Sequence, residues 1–454
     1  TRDAVGYWEK ALSIYEALGD AKKSGAVHLR LGLPMGGVSD RGRRYSHTVK
    51  AVELLESEGE SPELARGYVQ LGYEAAHRRG ERSSAIPLME KGLTLAEGLD
   101  DGAGVIEAAR ALGHVLVYHT GQIRRGLEVY QRGCAEARRR GSLIALSETS
   151  SHLCREYSFL RDAGEALRWA QEAAEAAKQS GAFGPQINSA LILAWAAILR
   201  GDAAGALSSL ETAQQMLKRG GVVVSEVAAP GLHNVIPGSI PIFLGDWDQA
   251  ETELLKVCEF AERTHNSFLK LLWVAPALGW LYLEKGDLAG AKTHLGEIAA
   301  FAQAGGDNPP ELLCRALLVQ VCSKMGELED ARAHMRRARE IFSLSTDWLG
   351  LAAEVHLAEA VLATAEKRWP EAEAAFQQAV EINRRYHLPY YEARSLLEWG
   401  EMYLSRNQPT DRERGMQLLD QALAIFQRVQ AKKMVEKVRS FQEHAAAQPA
   451  KAPT

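Results

Sequence analysis

The chain has 454 residues, of which 46% are hydrophobic and 24% are charged, and its formal net charge is −5. This composition can build a large packed core and excludes an intrinsically disordered chain. The negative charge argues against nucleic acid or an anionic membrane as a general partner. No apolar run is long enough for a transmembrane helix. Five scattered cysteines without a C-x-x-C pair favour a reducing compartment, so we expect a soluble, cytoplasmic protein.

The first residues, "TRDAVGYWEKALSIYEALGD", are an amphipathic helix and not a signal peptide. From position 32 onward the chain repeats itself. Small residues recur at intervals of 40, 41, 41, 40, 44, 41, 40, 41 and 40. The row consists of Gly32, Gly72, Gly113, Cys154, Ala194, Gly238, Gly279, Val319, Ala360 and Gly400. A fixed period of this size predicts a helical repeat array.

Two rows of alanine accompany the small-residue row. The first lies twelve positions later and consists of Ala166, Ala206, Ala250, Ala291, Ala331 and Ala372. The second lies seven positions further and consists of Ala173, Ala213, Ala338 and Ala379. Two helices cross closely only where side chains are small, so each repeat is predicted to be a helix, a short Gly-Asp-type turn and a second helix. Since one such pair cannot bury its apolar face alone, the repeats must stack.

The small residue, the turn seven positions later and the Ala-x6-Ala second helix resemble the tetratricopeptide repeat (TPR), in a variety with longer helices. Long repeats of this kind are typical of the sensor regions of maltose-regulator-like activators, other STAND-class signalling ATPases and large bacterial adenylate cyclases. The last repeat, "ARSLLEWGEMYLSRNQPTDRERGMQLLDQALAIFQRVQAKKMVEKVRSF", is especially similar to theirs. The departures are Val319, Arg125 in the alanine row, and the lengthened sixth repeat. The resemblance implies a right-handed, all-α superhelix of about ten repeats.

The repeat pattern divides the chain into six predicted segments. These are the second helix of a truncated repeat (1–20), N-terminal repeats (21–220), an irregular repeat containing Pro and Gly (221–265), C-terminal repeats (266–430), a capping helix (431–444) and a disordered tail (445–454). Because the sequence begins within a repeat, we expect an effector domain to precede it in the full-length protein.

The sixth repeat places Pro230, Pro237 and Pro241 within twelve positions. Proline inside a helix removes a backbone hydrogen bond and clashes with the preceding turn. We therefore expect its first helix to be kinked or partly unwound near His233 and Asn234. Two interpretations stay open, an irregular joint between two halves of the array and a pocket wall.

Catalytic signatures are absent from the sequence, which lacks a P-loop, a G-x-G-x-x-G after a strand, an H-E-x-x-H and a G-x-S-x-G. His114 and His119 are five apart and do not share the helix face that a metal pair uses. We therefore predict that the chain is not an enzyme and uses no cofactor and no metal.

The resemblance to TPR proteins implies that the first helix of each repeat lines a concave groove. Position by position, the lining is predicted to be Arg66, Tyr73, His77, Glu107, Arg110, His114, Tyr118, Glu148, Arg155, Asn188, Trp195, Leu232, Trp273, Trp280, Gln320, Lys324, Glu354, Arg394 and Glu401. Large side chains in such a row also fill space between helices. Three tryptophans of the row flank the proline-rich repeat, and aromatic side chains with polar tips are typical binding anchors.

We predict ligand or partner binding by Trp195, His233, Asn234, Trp273, Trp280, Arg66, Tyr73, Arg110, His114 and Arg155. One hypothesis is a sensor domain of a larger signalling protein, which binds a small molecule or a protein trigger. The alternative is a general scaffold for peptide segments of partner proteins. A third class, an RNA-reading repeat, is disfavoured by the net charge.

Overall fold

The computed structural model describes residues 2–33, 41–78, 82–220, 232–263 and 269–447, and these are helical almost throughout. They divide into two compact bodies, one formed by residues 1–153 with 305–307 and the other by residues 154–304 with 308–454. None of the described helices combines the length and the low polarity needed to cross a bilayer. The predicted all-α, TPR-like repeat is confirmed by the helix order and by the helix crossings described below.

The first body begins with an unpaired helix and continues in helix pairs. Its helices are α1 (Arg2–Ala17), α2 (Ala21–Leu31), α3 (Arg41–Ser57), α4 (Pro62–Ala76), α5 (Arg82–Gly98), α6 (Gly102–Thr120), α7 (Ile123–Arg139) and the greater part of α8 (Leu143–Phe159). In each complete repeat the even-numbered helix is the first and the odd-numbered helix is the second. We call these first helices and second helices below.

The second body continues the same alternation and ends in a single helix. Its helices are α9 (Ala163–Ser180), α10 (Phe183–Leu199), α11 (Ala203–Arg219), α12 (Leu232–Leu244), α13 (Trp247–Arg263), α14 (Ala275–Lys285), α15 (Leu288–Gly305), α16 (Asn308–Met325), α17 (Leu328–Phe342), α18 (Ala352–Ala365), α19 (Trp369–Arg385), α20 (Pro389–Arg406), α21 (Asp411–Arg428) and α22 (Lys432–Ala447). Residues 445–447, which the sequence places in the predicted tail, belong to α22, and residues 448–454 lie outside the described ones.

The small-residue row marks close helix crossings, as the sequence predicts. A Cβ placed on Gly113 would lie 2.5 Å from Cδ2 of Tyr130 and 2.9 Å from the carbonyl oxygen of Gly126. A Cβ on Gly279 would lie 2.7 Å from the side chain of Leu295. The alanines of the first alanine row, from Ala166 to Ala372, are 0% exposed. Larger side chains at these positions would therefore push the helix pairs apart.

Arg125 can stand in the alanine row because, in this repeat, the next residue makes the close contact between the two helices. Its neighbour Gly126 makes the close approach instead, and a Cβ there would lie 2.7 Å from Val117 and 2.8 Å from the carbonyl oxygen of Gly113. Arg125 is left on the outer side of α7, where it forms an ion pair with Glu90 of α5. The apparent departure therefore preserves the crossing.

The turns between paired helices have the expected glycine and aspartate geometry. Gly201 has a φ of 80°, a left-handed conformation that glycine adopts without strain. Oδ1 of Asp202 accepts a hydrogen bond of 2.9 Å from the backbone N–H of Gly205. Asp287 caps α15 in the same way, accepting from Gly290 at 2.9 Å. Each carboxylate satisfies an N–H that the first turn of the helix leaves without a partner.

The predicted unwinding of the proline-rich first helix is absent from its described part, because α12 is helical across Pro237 and Pro241. The predicted kink stays a prediction. A different irregularity lies in the next repeat, where residues Leu269–Val274 form a π-helix before α14. Pro276 stands at the start of α14 and has no N–H for the preceding turn. A widened turn at that point accommodates the missing hydrogen bond.

Candidate functional site

The predicted groove residues of the first body form a line along the first helices α4, α6 and α8. Nη2 of Arg66 is 3.2 Å from Oδ2 of Asp101, and its Nε is 3.9 Å from Oε2 of Glu107. Nη1 of Arg110 is 3.8 Å from Oε2 of Glu148. An arginine of one first helix thus meets a glutamate of the next. We call Arg66, Glu107, Arg110 and Glu148 the charge ladder.

The charge ladder is loosely paired and accessible. The carboxylate side chains of Glu107 and Glu148 are 52% and 50% exposed. Exposed ion pairs at such distances contribute little to stability. Nε of Arg110 is buried and has no hydrogen-bond partner among the described residues. The groups of the ladder that a partner can reach are therefore the exposed carboxylates of Glu107 and Glu148 and the exposed parts of the two arginines.

Aromatic and imidazole rings follow α4 and α6, two of the three helices that carry the charge ladder. The ring centroids of Tyr73 and His77 are 4.7 Å apart, and those of Tyr73 and His114 are 6.1 Å apart. His114 stacks on Tyr118 at 4.3 Å. His77 also meets His119, edge to face, at 4.7 Å. The structure thus brings together all four of the ring residues predicted on α4 and α6, and adds His119.

Three of the predicted groove residues of the second body, Gln320, Glu354 and Arg394, lie in its interior. Nε2 of Gln320 donates to Oε1 of Glu354 at 2.7 Å, and Nη1 of Arg394 is 3.4 Å from the same oxygen. Nε of Arg394 lies 2.6 Å from Oε1 of Glu284, and Arg161 forms an ion pair with Glu354. All five residues are buried. We call Arg161, Glu284, Gln320, Glu354 and Arg394 the inner charge cluster.

The electrostatics of the inner charge cluster favour the charged forms of Glu354 and Arg394. Burial alone would raise the pKa of Glu354, but the charges of Arg161 and Arg394 outweigh it and lower the pKa to about 2. Burial disfavours the cation of Arg394, yet Glu284 and Glu354 hold its pKa above the ordinary value. Buried charges that are paired and hydrogen-bonded in this way hold the protein together and are not available to a ligand.

A second group of charges lies beside this cluster, on α16, α20 and α22. Nζ of Lys324 donates to both carboxylate oxygens of Glu398, at 2.7 and 2.8 Å. Burial and the charge of Glu398 raise the pKa of Glu401 to about 7, against the attraction of Lys324 and Lys437. Oε1 of Glu401 is buried and has no hydrogen-bond partner in the described part of the chain. Burial and the neighbouring carboxylate of Glu398 therefore favour the protonated form of Glu401.

Two of the tryptophans predicted beside the proline-rich repeat, Trp195 and Trp280, pack against other rings. Phe243 of α12 lies between them, with ring centroids 5.8 Å from Trp195 and 4.8 Å from Trp280. Trp280 also stacks on Tyr391 at 6.0 Å, and its Nε1 donates to Glu284 at 3.0 Å. Trp195 and Trp280 are thus partly buried against other rings, and their predicted role in binding stays a prediction.

Three of the predicted binding residues, His233, Asn234 and Trp273, have side chains outside the described residues. Arg155 is described, and its Nη2 lies 2.9 Å from Oε1 of Glu156, whose side chain is 0% exposed. This pairing gives Arg155 a structural contact within α8. The predicted role of all four residues in binding stays a prediction.

Sequence reasoning missed Arg161, Glu284 and Glu398. Arg161 occupies a turn position that is glycine in several other repeats, and its φ is 60°. Such a conformation is uncommon in a residue with a Cβ, so an arginine in a glycine position was the available signal. Glu284 and Glu398 lie four residues after Trp280 and Arg394 on the same helix face. That spacing would have identified them as neighbours of the predicted row.

The sequence matches no protein-family model and no curated protein sequence. Several solved structures have a similar fold. A Rap protein complexed with competence and sporulation factor is 10% identical over 93% of this chain and 99% of its own, with a TM-score of 0.43. Human IFIT1 with m7Gppp-AAAA is 12% identical over 99% and 96%, with a TM-score of 0.46. A STAND protein with a tetratricopeptide repeat sensor, from Pyrococcus horikoshii, is 14% identical over 77% of this chain and 55% of its own, with a TM-score of 0.43.

Proposed function

We propose that the chain is a non-catalytic binding domain, and that the charge ladder of the first body binds a charged segment of a partner protein. The observation that carries this proposal is the loose pairing of Arg66 with Glu107 and of Arg110 with Glu148 on successive first helices. A binding surface needs groups that are held in place and yet can exchange their partners. Buried, fully paired groups do not meet that need.

The chemistry of the ladder defines the partner. Cations and carboxylates alternate along it, so a segment with charges of both signs would match it better than a polyanion. The rings of Tyr73 and His114 lie on the same helices and offer flat surfaces to an aromatic or aliphatic side chain. An open row of this kind suits an extended protein segment.

The narrower assignment is a sensor domain of a larger signalling protein, with the protein segment as its trigger. It rests on the similarity of the repeats to those of STAND-class sensors. A general scaffold would use the same ladder. The two differ in whether binding changes the activity of an attached effector domain, and the binding experiment below applies to both.

The test is a peptide-display selection on the whole chain, followed by affinity measurements on two matched double variants. Arg66→Ala/Arg110→Ala removes both cations of the ladder. Arg125→Ala/Arg132→Ala removes two arginines that pair with Glu90 and Glu97 on neighbouring second helices. We expect the ladder variant to lose at least about tenfold in affinity for the selected peptides, and the wild-type affinity to fall with added salt. The second-helix variant should bind as the wild type does.

Equal affinity of both double variants for the selected peptides would show that the ladder is not the binding surface. A single-stranded RNA that binds more tightly than every peptide, and that depends on Arg66 and Arg110, would assign the ladder to nucleic acid instead.

A further inference from the structure

We propose that His77, His119 and Asp307 form a binding site for a divalent transition-metal ion of the zinc type. All three belong to the first body, and their ligand atoms lie within 4.8 Å of one another. The site goes beyond the proposed function, because no residue of the charge ladder takes part in it. It departs from the sequence-based prediction that the chain uses no metal, which rested on the pair His114 and His119 and did not consider His77 with Asp307.

Both imidazoles are oriented by backbone carbonyl groups. Nδ1 of His77 lies 2.8 Å from the carbonyl oxygen of Tyr73, and Nδ1 of His119 lies 3.0 Å from that of Gly306. A carbonyl oxygen only accepts, so each Nδ1 carries the proton and each neutral ring has its lone pair on Nε2. A metal-binding histidine has this arrangement, in which the second nitrogen donates to a carbonyl group and fixes the tautomer and the ring.

The third ligand supplies the negative charge. Oδ1 of Asp307 is 3.9 Å from Nε2 of His119, and the two side chains are 10% and 1% exposed. Zinc–nitrogen and zinc–oxygen bonds of about 2.0–2.1 Å place two ligands about 3.3 Å apart in a tetrahedral site. Binding therefore requires the Asp307 carboxylate and the His119 imidazole to approach by about half an ångström, and ligand atoms at the 4.8 Å limit to approach by about 1.5 Å, within the range of side-chain motion.

The donor set indicates which ion would bind. Two imidazoles and one carboxylate suit Zn²⁺, Co²⁺ and Ni²⁺, whereas Ca²⁺ and Mg²⁺ prefer oxygen ligands alone. Three protein ligands leave at least one coordination position for water or for a group from a partner. Since His77 follows α4 and His119 lies in α6, the ion would also fix the segment 305–307 against these two helices.

Among the described residues, Cys322, Glu327 and Asp330 of the second body are a second group of potential metal ligands. There the ammonium group of Lys292 already lies 2.6 Å from Glu327 and 3.0 Å from Asp330. Burial raises the pKa of the Cys322 thiol to about 11, so the thiolate that would bind a metal is not formed at neutral pH. We therefore propose no metal site at Cys322, Glu327 and Asp330.

The experiment uses the whole chain after treatment with a chelator. Zn²⁺ is titrated by calorimetry, and Co²⁺ is followed by visible absorption. We expect one tightly bound ion per chain and a melting temperature that rises with metal concentration. Asp307→Asn keeps the side-chain volume, and His77→Gln and His119→Gln keep a polar group. Each should lower the affinity at least about tenfold. His444→Gln removes an exposed histidine of α22 and should leave the affinity unchanged.

Three results would overturn the site. These are no saturable binding of either ion, equal affinity of the three ligand variants and the wild type, and a sulfur-to-cobalt charge-transfer band, which would place the ion at a cysteine. Circular dichroism shows whether each ligand variant is folded. The metal affinity of any one folded ligand variant is enough to test the site. Peptide binding by the charge ladder is measured without metal, so failure of the metal site and failure of the proposed function remain separate results.

Discussion

Charged residues at the same positions of the repeat are exposed in the first body and buried in the second. In the first body, Arg110 and Glu148 of successive first helices lie 3.8 Å apart, and the glutamate side chain is half exposed. In the second body, the carboxylate of Glu354 is buried between Arg161 and Arg394 and accepts a hydrogen bond from Gln320. A charged residue at a first-helix position is therefore no sign by itself of a binding surface.

The difference comes from what covers the first helices. In the second body, α20 contributes Tyr390 and Tyr391, whose rings pack against Phe243 at 5.0 and 5.9 Å. The guanidinium of Arg161 lies 4.0 Å from the ring centroid of Tyr391. Once such rings exclude water, neighbouring charges must pair with one another, because an isolated buried charge is very costly. The charge ladder of the first body has no such requirement.

The largest expected effect is that of Glu354→Gln, which removes the central anion of the inner charge cluster. Arg161 would lose its carboxylate partner, and Arg394 would keep Glu284 and its hydrogen bond to Gln320. We expect the free energy of unfolding to fall by about 3–5 kcal/mol at pH 7, as when one partner of a buried pair is removed. Denaturant unfolding followed by circular dichroism measures the loss.

The matched control is Glu107→Gln, the same change in the charge ladder, and it should alter the free energy of unfolding by less than about 1 kcal/mol. The pH dependence provides a second check. The pKa of Glu354 is about 2 in the folded protein and lies below its ordinary value. Its stabilising effect is therefore complete above the unfolded pKa and is lost as the pH falls towards 2. Equal effects of the two variants at pH 7 would remove the distinction between the bodies.

The next effect in size is that of Gly113→Ala, which tests whether the spacing of α6 and α7 positions the charge ladder. The new Cβ would meet Tyr130 and the backbone of Gly126, at 2.5 and 2.9 Å. We expect a loss of about 1–3 kcal/mol in the free energy of unfolding, because a backbone atom cannot move aside as a flexible side chain can. Thermal unfolding of the variant measures it.

Gly296→Ala provides the opposite control. This glycine lies within α15, and a Cβ there would find no atom within 4 Å. The alanine variant should be more stable by about 0.5–1 kcal/mol, because alanine loses less conformational freedom on folding than glycine does. If both alanine variants gained stability, Gly113 would not mark a necessary close contact.

The period, the order of helices and the crossings were predictable from the sequence because each depends on local spacing. Gly113 and the alanine at 291 are recognisable from their positions alone, since small size is the property that a crossing selects. The same reasoning placed Gln320, Glu354 and Arg394 on corresponding faces of different first helices, and they do meet.

The burial of these residues was not predictable, because it depends on contacts between distant parts of the chain. Arg161 and Glu354 are 193 positions apart, and His119 and Gly306 are 187 positions apart. No periodic pattern links such pairs. The π-helix at Leu269–Val274 was not predicted for a different reason. The prediction assumed that Pro237 and Pro241 distort the helix that contains them, and it did not consider the turn before Pro276.

The smallest expected effect is that of Glu401→Gln, which should raise the free energy of unfolding at neutral pH. The pKa of Glu401 is about 7 in the folded protein and lies above its ordinary value. Between about pH 4.5 and pH 7 the folded state holds a proton that the unfolded state has released, so this residue lowers the stability as the pH rises. Glutamine resembles the protonated acid. The variant should match the wild type at pH 4, gain stability progressively up to pH 7, and keep an advantage of about 1–2 kcal/mol above it.

Glu436→Gln, on the exposed side of α22, should differ from the wild type by no more than about 0.5 kcal/mol at any pH. Urea unfolding between pH 4 and pH 8 separates the two variants. If Glu401→Gln lowers the stability at every pH, the Glu401 carboxylate is a required partner of Lys324 or Lys437. The charges of this group are then fully paired. If the substitution raises the stability only above about pH 5, one carboxylate is present in excess, and the pairing of charges inside the second body is incomplete at Glu401.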